Sequence, residues 1–242
     1  MPESVVLLHG FSGTSRAWDG VLERLDRERY RPLALDLPGH GEASGAPRPI
    51  TFAGCVAHVL DRAPARFALC GYSLGGRIAL HLALAAPERV TRLVLVSTTA
   101  GIEDAGERAR RRTADHRLAD ELERLPFEDF IERWRTQSLF AAEPPEVRRL
   151  AREDQRRNRP EALAEALRGI GTGEMEPLWD RLGELSMPVT VLAGESDHKF
   201  AAIARRIAAG PPLAALVEVP GGHGLLLENP GAVSRALAAS WP

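Results

Sequence analysis

The chain has 242 residues, enough to bury a full core within one α/β domain. Apolar residues make up 44% and charged residues 26%, the balance of a soluble globular protein, and the formal net charge of −2 excludes the basic excess that nucleic-acid binding requires. Val5-Val6-Leu7-Leu8 is too short for a signal or membrane segment and has no basic region ahead of it, so no membrane partner and a cytoplasmic location are expected. Cys55 and Cys70 fit no disulfide framework or metal spacing; Cys55 falls in an expected helix and Cys70 in an apolar strand, which suits a reducing compartment. Lys199 is the only lysine, a skew that reads as codon usage more readily than as function.

In chain order, Val5–His9 is a buried strand that ends in the glycine-punctuated loop His9-Gly10-Phe11-Ser12-Gly13. A helix is expected around Trp18–Leu25 and a strand over Pro32–Leu37, broken by Pro38-Gly39-His40-Gly41. Helical spacing follows at Phe52–Leu60, then a short strand at Phe67–Cys70. An alanine- and leucine-rich helix at Gly75–Ala86 leads to a Val/Leu strand at Val90–Ser97. Strands apolar on both faces and separated by helices indicate a parallel sheet covered on both sides. From Gly101 to Trp179 the chain turns charged and helical without a convincing strand. Alternation then resumes with Val189–Ala193, a helix, Leu216–Val219 and a last helix from Pro230 to about Ser240. The expected organisation is a core of residues 1–100 and 179–242 with a helical cap of residues 101–178 inserted into it.

The strongest chemical signal is Gly71-Tyr72-Ser73-Leu74-Gly75, a G-x-S-x-G string with a strand before it and a helix after it. That context predicts a sharp turn presenting Ser73 at a strand end, with the following helix aiming its N-terminal amides at the site. A serine hydroxyl needs a base, and the base needs an acid to fix its tautomer. Downstream strands run into Gly194-Glu195-Ser196-Asp197 and Pro220-Gly221-Gly222-His223-Gly224, in the order Ser, Asp, His that this arrangement uses. His223 is therefore the expected base and Asp197 its acid, with Glu195 as a weaker acid candidate and His198 as a pocket wall. His9 and His40 are expected to bond backbone and shape the pocket, while His58, His81 and His116 are structural or solvent-facing. Backbone N–H groups of Phe11 and Leu74 form the expected oxyanion hole. Together these features specify an α/β-hydrolase fold: a mostly parallel sheet, helices on both faces, and the inserted cap.

Four segments narrow the reading: Gly71 through Arg77, Trp134 through Phe140, Leu163 through Gly173, and Gly194 through Phe200. Over essentially its whole length the chain resembles the 2-succinyl-6-hydroxy-2,4-cyclohexadiene-1-carboxylate synthases, menaquinone-pathway lyases of the α/β-hydrolase superfamily. The resemblance implies that the triad serine removes a ring proton, that pyruvate then leaves, and that the oxyanion hole holds an enolate-like oxygen. It implies a small-molecule substrate with several carboxylates, bound by Arg77, Arg111 and Arg156, with Tyr72 and Trp134 as aromatic pocket positions. Between Gly101 and Leu178, fifteen Arg face eighteen Asp plus Glu, so most cap arginines are expected on solvated helix faces or in i,i+4 pairs. Gly224, where larger residues are usual in relatives, and Cys70 depart from the family pattern without touching the expected chemistry. The competing readings are a serine esterase or C–C bond hydrolase with the same triad, and a non-catalytic ligand receptor, which has no reason to keep all three triad residues. No cofactor is expected, since the chain carries no P-loop, dinucleotide fingerprint or metal-ligand spacing. The sequence sets no oligomeric state.

Overall fold

Six parallel strands form one sheet in the order β2-β1-β3-β4-β5-β6 in the computed structural model, which describes residues 2–239. They are β1 (Glu3–Leu8), β2 (Tyr30–Leu35), β3 (Phe67–Tyr72), β4 (Val90–Val96), β5 (Val189–Gly194) and β6 (Ala214–Val219). Because side chains alternate along a strand, each central strand feeds two cores. Val6, Leu8, Leu69, Leu93, Leu95 and Val191 pack on one face with α2 (Phe52–Arg62), α3 (Leu74–Ala85) and α8 (His198–Ala208). Val5, Leu7, Cys70, Val94, Val96 and Leu192 pack on the other, against Trp18 and Val21 near α1 (Asp19–Leu22), Leu225 and Leu226 of α9 (Leu225–Glu228), and Val233 and Leu237 of α10 (Pro230–Ala238).

The chain turns one way from β1 to β2 and the other way from β1 to β3. The strand order therefore reverses between β1 and β3, and the crevice beyond their carboxyl ends is where an open α/β sheet binds its ligand. Between β4 and β5 lie α4 (Ala105–Arg124), α5 (Phe127–Arg135), α6 (Pro145–Gln155) and α7 (Pro160–Ile170). Prolines set the breaks in this charged helical stretch: Pro126 precedes α5, Pro144-Pro145 opens α6, and Pro160 opens α7. Ala119, Leu122, Phe130, Leu163, Ala164 and Leu167 give the four helices a small core of their own.

Some boundaries differ from the sequence reading. β2 begins two residues earlier than expected and stops at Leu35, because the Leu37 amide donates to the His9 ring rather than to the sheet. Pro32 is tolerated inside β2 because that strand lies at the sheet edge. The helix expected at Trp18–Leu25 is a 3-10 turn at Ser15–Trp18 followed by the four residues of α1. The Asp26 carboxylate takes the Glu28 and Arg29 amides and turns the chain into β2. The last helix ends at Ala238; its expected end at Ser240 lies outside the described residues.

Candidate active site

Ser73 stands between β3 and α3 with φ 50° and ψ −107°, a backbone conformation that an L residue holds only when its surroundings dictate it. Its amide donates to Val96 O, while its carbonyl accepts from the Arg77 amide and the Thr98 hydroxyl. A Cβ at Gly71 would collide with the Gly75 backbone, and one at Gly75 with the Leu8 carbonyl, so the turn requires both glycines.

The other two expected triad members come from the ends of β5 and β6. Asp197 is the N-cap of α8: its Oδ1 accepts the Phe200 amide at 3.2 Å, and its Oδ2 accepts from His223 Nδ1 at 2.8 Å. That bond places the ring proton on Nδ1 and leaves Nε2 as an acceptor, 3.3 Å from Ser73 Oγ. Asp197 and His223 are buried, whereas the Ser73 side opens into a cavity. The arrangement can take a proton from the serine hydroxyl and return it. Phe11, after β1, and Leu74, first in α3, border the same cavity, and neither amide has a hydrogen-bond partner among the described residues. Two free donors at the switch point beside Ser73 are what an oxyanion hole needs.

The cavity measures about 860 Å³ and runs from the triad to the cap helices. Phe11 and Trp134 meet edge to face at 5.0 Å, and Phe140 and Phe200 flank the His223 ring at 6.1 and 4.5 Å. Tyr72 lies 5.6 Å from that ring, and burial pushes its phenol above the ordinary range. Arg77 is buried at 7% exposure, yet its only hydrogen-bond acceptor among the described residues is Ile170 O, at 2.8 Å. Burial first, and Arg111 second, bring its guanidinium down to about 10, so it stays cationic at neutral pH. Arg111 borders the cavity with Nε on Asp115 Oδ1 at 2.8 Å; Asp115 is buried and also accepts the Gly173 amide.

Arg156 is not brought to the site. It ends α6 on the outer surface, where its guanidinium forms two 2.8 Å bonds to Glu128 of α5 and is half exposed. Helix packing decides that orientation. Lys199 does border the cavity, two residues beyond Asp197 on the first turn of α8, as does Arg206, whose guanidinium pairs with Glu103 and lies over the Trp179 ring at 3.8 Å. The sequence reading assigned a role to neither. Position after the β5 loop was the available signal for Lys199, whereas the Arg206–Glu103 contact spans 103 residues of chain. His198 and Glu195 point outward and do not border the cavity, so neither the wall nor the alternative acid is found.

The remaining histidines are structural. His9 is fully buried, donates to Gly10 O from Nδ1 at 2.8 Å and accepts the Leu37 amide at Nε2. His40 packs edge-on against it at 5.0 Å, and burial lowers its pKa to about 3. His58 and His81 bond backbone carbonyls of Asp36 and Arg77, and exposed His116 meets Glu174.

The profile of the Alpha/beta hydrolase family matches residues 5–236. The chain belongs to the alpha/beta hydrolase family. Among members of this family, it is 35% identical over 238 residues to a Bacillus subtilis (strain 168) protein named as a candidate 2-succinyl-6-hydroxy-2,4-cyclohexadiene-1-carboxylate synthase, covering 94% of this chain and 86% of that one. It is 33% identical to the synthase of that name from Salmonella agona (strain SL483), covering 97% and 92%. The structure of MenH from S. aureus superposes with a TM-score of 0.91 at 32% identity, over 98% of this chain and 92% of that one. No helix among the described residues is long and apolar enough to cross a membrane.

Proposed function

We propose that this alpha/beta hydrolase family member is a carbon–oxygen lyase of menaquinone biosynthesis. It eliminates pyruvate from 2-succinyl-5-enolpyruvyl-6-hydroxy-3-cyclohexene-1-carboxylate to give 2-succinyl-6-hydroxy-2,4-cyclohexadiene-1-carboxylate. Comparing the two formulae fixes the electron flow. The proton on C2, next to the succinyl ketone, is removed; the ring double bonds become C2=C3 and C4=C5; and the enolpyruvyl oxygen leaves C5 with its electron pair. Ser73, having passed its proton to His223, is the base for the C2 proton, and Asp197 balances the imidazolium. The ketone oxygen becomes enolate-like in this step, and the Phe11 and Leu74 amides stabilise it. The departing enolpyruvate takes the proton held by His223, which returns the triad to its starting state, and tautomerises to pyruvate.

One observation carries this reading over ester hydrolysis: a buried, incompletely partnered Arg77 cation opens into the triad's cavity. An uncharged ester gives such a group nothing, whereas a substrate with three carboxylates gives it a counter-ion. Arg111, oriented by Asp115, and Lys199 supply further positive charge along the same walls. Tyr72 and Trp134 complete the binding surface, and Arg156 has no part in it. The ligand is thus a small polyanion, with neither nucleic acid nor membrane as a partner. The free, buried thiols of Cys55 and Cys70 support a cytoplasmic, reducing location.

The test is to generate the enolpyruvyl substrate enzymatically in situ and follow pyruvate and the absorbance of the conjugated diene, with Ser73→Ala as control. Ser73-dependent formation of both is expected. Clear turnover of simple esters with no acceleration of pyruvate release would transfer the protein to the esterase reading.

A further inference from the structure

His223 is carried by the loop Pro220-Gly221-Gly222-His223-Gly224, in which three of five residues are glycine. Gly221 adopts φ +140°, open to glycine and to few other residues. Such a segment has more backbone freedom to lose than any other composition, yet its histidine must sit within hydrogen-bond reach of Ser73 and Asp197 together. Something outside the triad has to hold the loop.

The Glu228 side chain reaches back from the end of α9 and takes the two amides that bracket the histidine. Its Oε2 accepts the Gly222 N–H at 2.7 Å and its Oε1 accepts the Gly224 N–H at 3.0 Å. Next to it, Asn229 Nδ2 donates to Pro220 O at 2.9 Å, so two adjacent side chains hold three backbone groups of the loop. A Cβ at Gly222 would lie 3.0 Å from Glu228 Oε1, and one at Gly224 3.2 Å from the same oxygen. The glycines therefore do more than permit the turn; they let the carboxylate in. Gly224 is hemmed in from a second side as well. A Cβ there would press on Glu228 and, at 2.6 Å, on Glu143 Oε1 from the cap, whose carboxylate is already bonded to buried Arg135.

We propose that Glu228 is a positioning residue: its carboxylate grips the Gly222 and Gly224 amides and so fixes the His223 ring in line with Ser73 and Asp197. It touches neither substrate nor the reacting atoms. Bonds donated to a carboxylate are about twice as strong as neutral ones, which suits a single side chain restraining a glycine loop. The inference rests on the triad reading of the site, though not on the identity of the substrate.

Its test uses two readouts on the full-length protein. One is the rate at which a fluorophosphonate labels Ser73, which reports Ser73–His223 geometry whatever the natural substrate is. The other is the division between kcat and KM in pyruvate elimination. Glu228→Gln keeps the shape and one acceptor oxygen but turns an NH2 toward the second amide. Its labelling rate and kcat are expected to fall about 10-fold, with KM within about twofold of the parent and the melting temperature nearly unchanged. Glu228→Ala is expected to lose about 100-fold in both rates. Parent-like labelling in Glu228→Gln, or a loss confined to KM, would overturn the proposal, and the Gln variant decides the matter if the Ala variant does not fold. Were the parent to label rapidly at Ser73 yet release no pyruvate, the lyase reading would fall while the labelling series still judged the clamp.

Discussion

At the sheet end of the cavity, the reacting groups are held through bonds that engage backbone N–H and C=O groups. Ser73 is pinned through its own amide and carbonyl, Asp197 caps a helix while bonding His223, and the His223 loop is held at both neighbouring amides. At the cap end, the charged groups are held by other side chains. Arg111 leans on Asp115, Arg206 on Glu103, and both guanidinium groups are about half exposed. Backbone restraints fix a position to a fraction of an ångström because they come with the strands and helices themselves, whereas exposed ion pairs between long side chains restrain little and are screened by salt. Arg77 joins the two regimes: it projects from the helix that follows Ser73, is buried like Asp197 and His223, and ends at a cap carbonyl.

Substitutions should rank by which regime they disturb. His223→Ala, at the backbone-held end, is expected to lower kcat for pyruvate release at least about a thousandfold with circular dichroism unchanged, since triad members act as a unit. Activity within tenfold of the parent would mean that the two ends do not differ as described. Arg77→Lys keeps the charge but loses the planar fork, and kcat/KM should drop about 100-fold, the size of effect that removing one partner of a desolvated charge pair produces. A Lys variant with parent kinetics would show that charge alone suffices and that Arg77 belongs with the rim.

The third prediction concerns stability. Burial lowers His40 to about 3 in the folded chain, against about 6.5 for an unperturbed histidine. Between those values the unfolded chain binds the extra proton. Stability is thus fully present above about pH 6.5 and declines as pH falls toward 3, by up to about 1.4 kcal/mol per pH unit from this group. His9, also lowered by burial, contributes with the same sign. Urea midpoints taken from pH 7.5 down to 5 should therefore fall, and His40→Gln should flatten the slope; an unchanged slope would remove His40 from the account. The smallest expected effect is that of Arg156→Ala. With its guanidinium committed to Glu128 on the outer surface, kcat/KM should stay within about twofold. A tenfold loss would return Arg156 to the substrate.

The same contrast explains what the sequence made legible. Ser73, Asp197 and His223 could be read because each follows a buried strand in a set chain order, and Arg77 because it lies one helical turn past Ser73. The amides of Phe11 and Leu74 followed from topology alone. At the cap, where fifteen arginines and eighteen acids alternate, the partner of each depends on how α4 to α7 pack. Arg111 could be tied to Asp115 because the pair is local, at i,i+4. Arg156 is taken by a residue 28 positions earlier on a different helix, which no local spacing foretells. Glu228 escaped notice for a related reason: a glutamate at the end of a four-residue helix has no periodic signature, and its function appears only when the amides facing it are seen.

The stem of the inserted segment carries a last consequence. The Leu178 amide donates to Ala100 O at 2.7 Å, and Trp179 Nε1 donates to Gly101 O at 3.0 Å, so the chain leaves the sheet and re-enters it through one narrow doorway. Along the chain everything between is joined to the sheet only at this doorway, while all six strands and the three triad residues lie outside it. Transplanting the equivalent stretch from another member of the family at this doorway would exchange the wall that carries Arg111 and Trp134, and leave Arg77, Lys199 and the proton-transfer machinery in place.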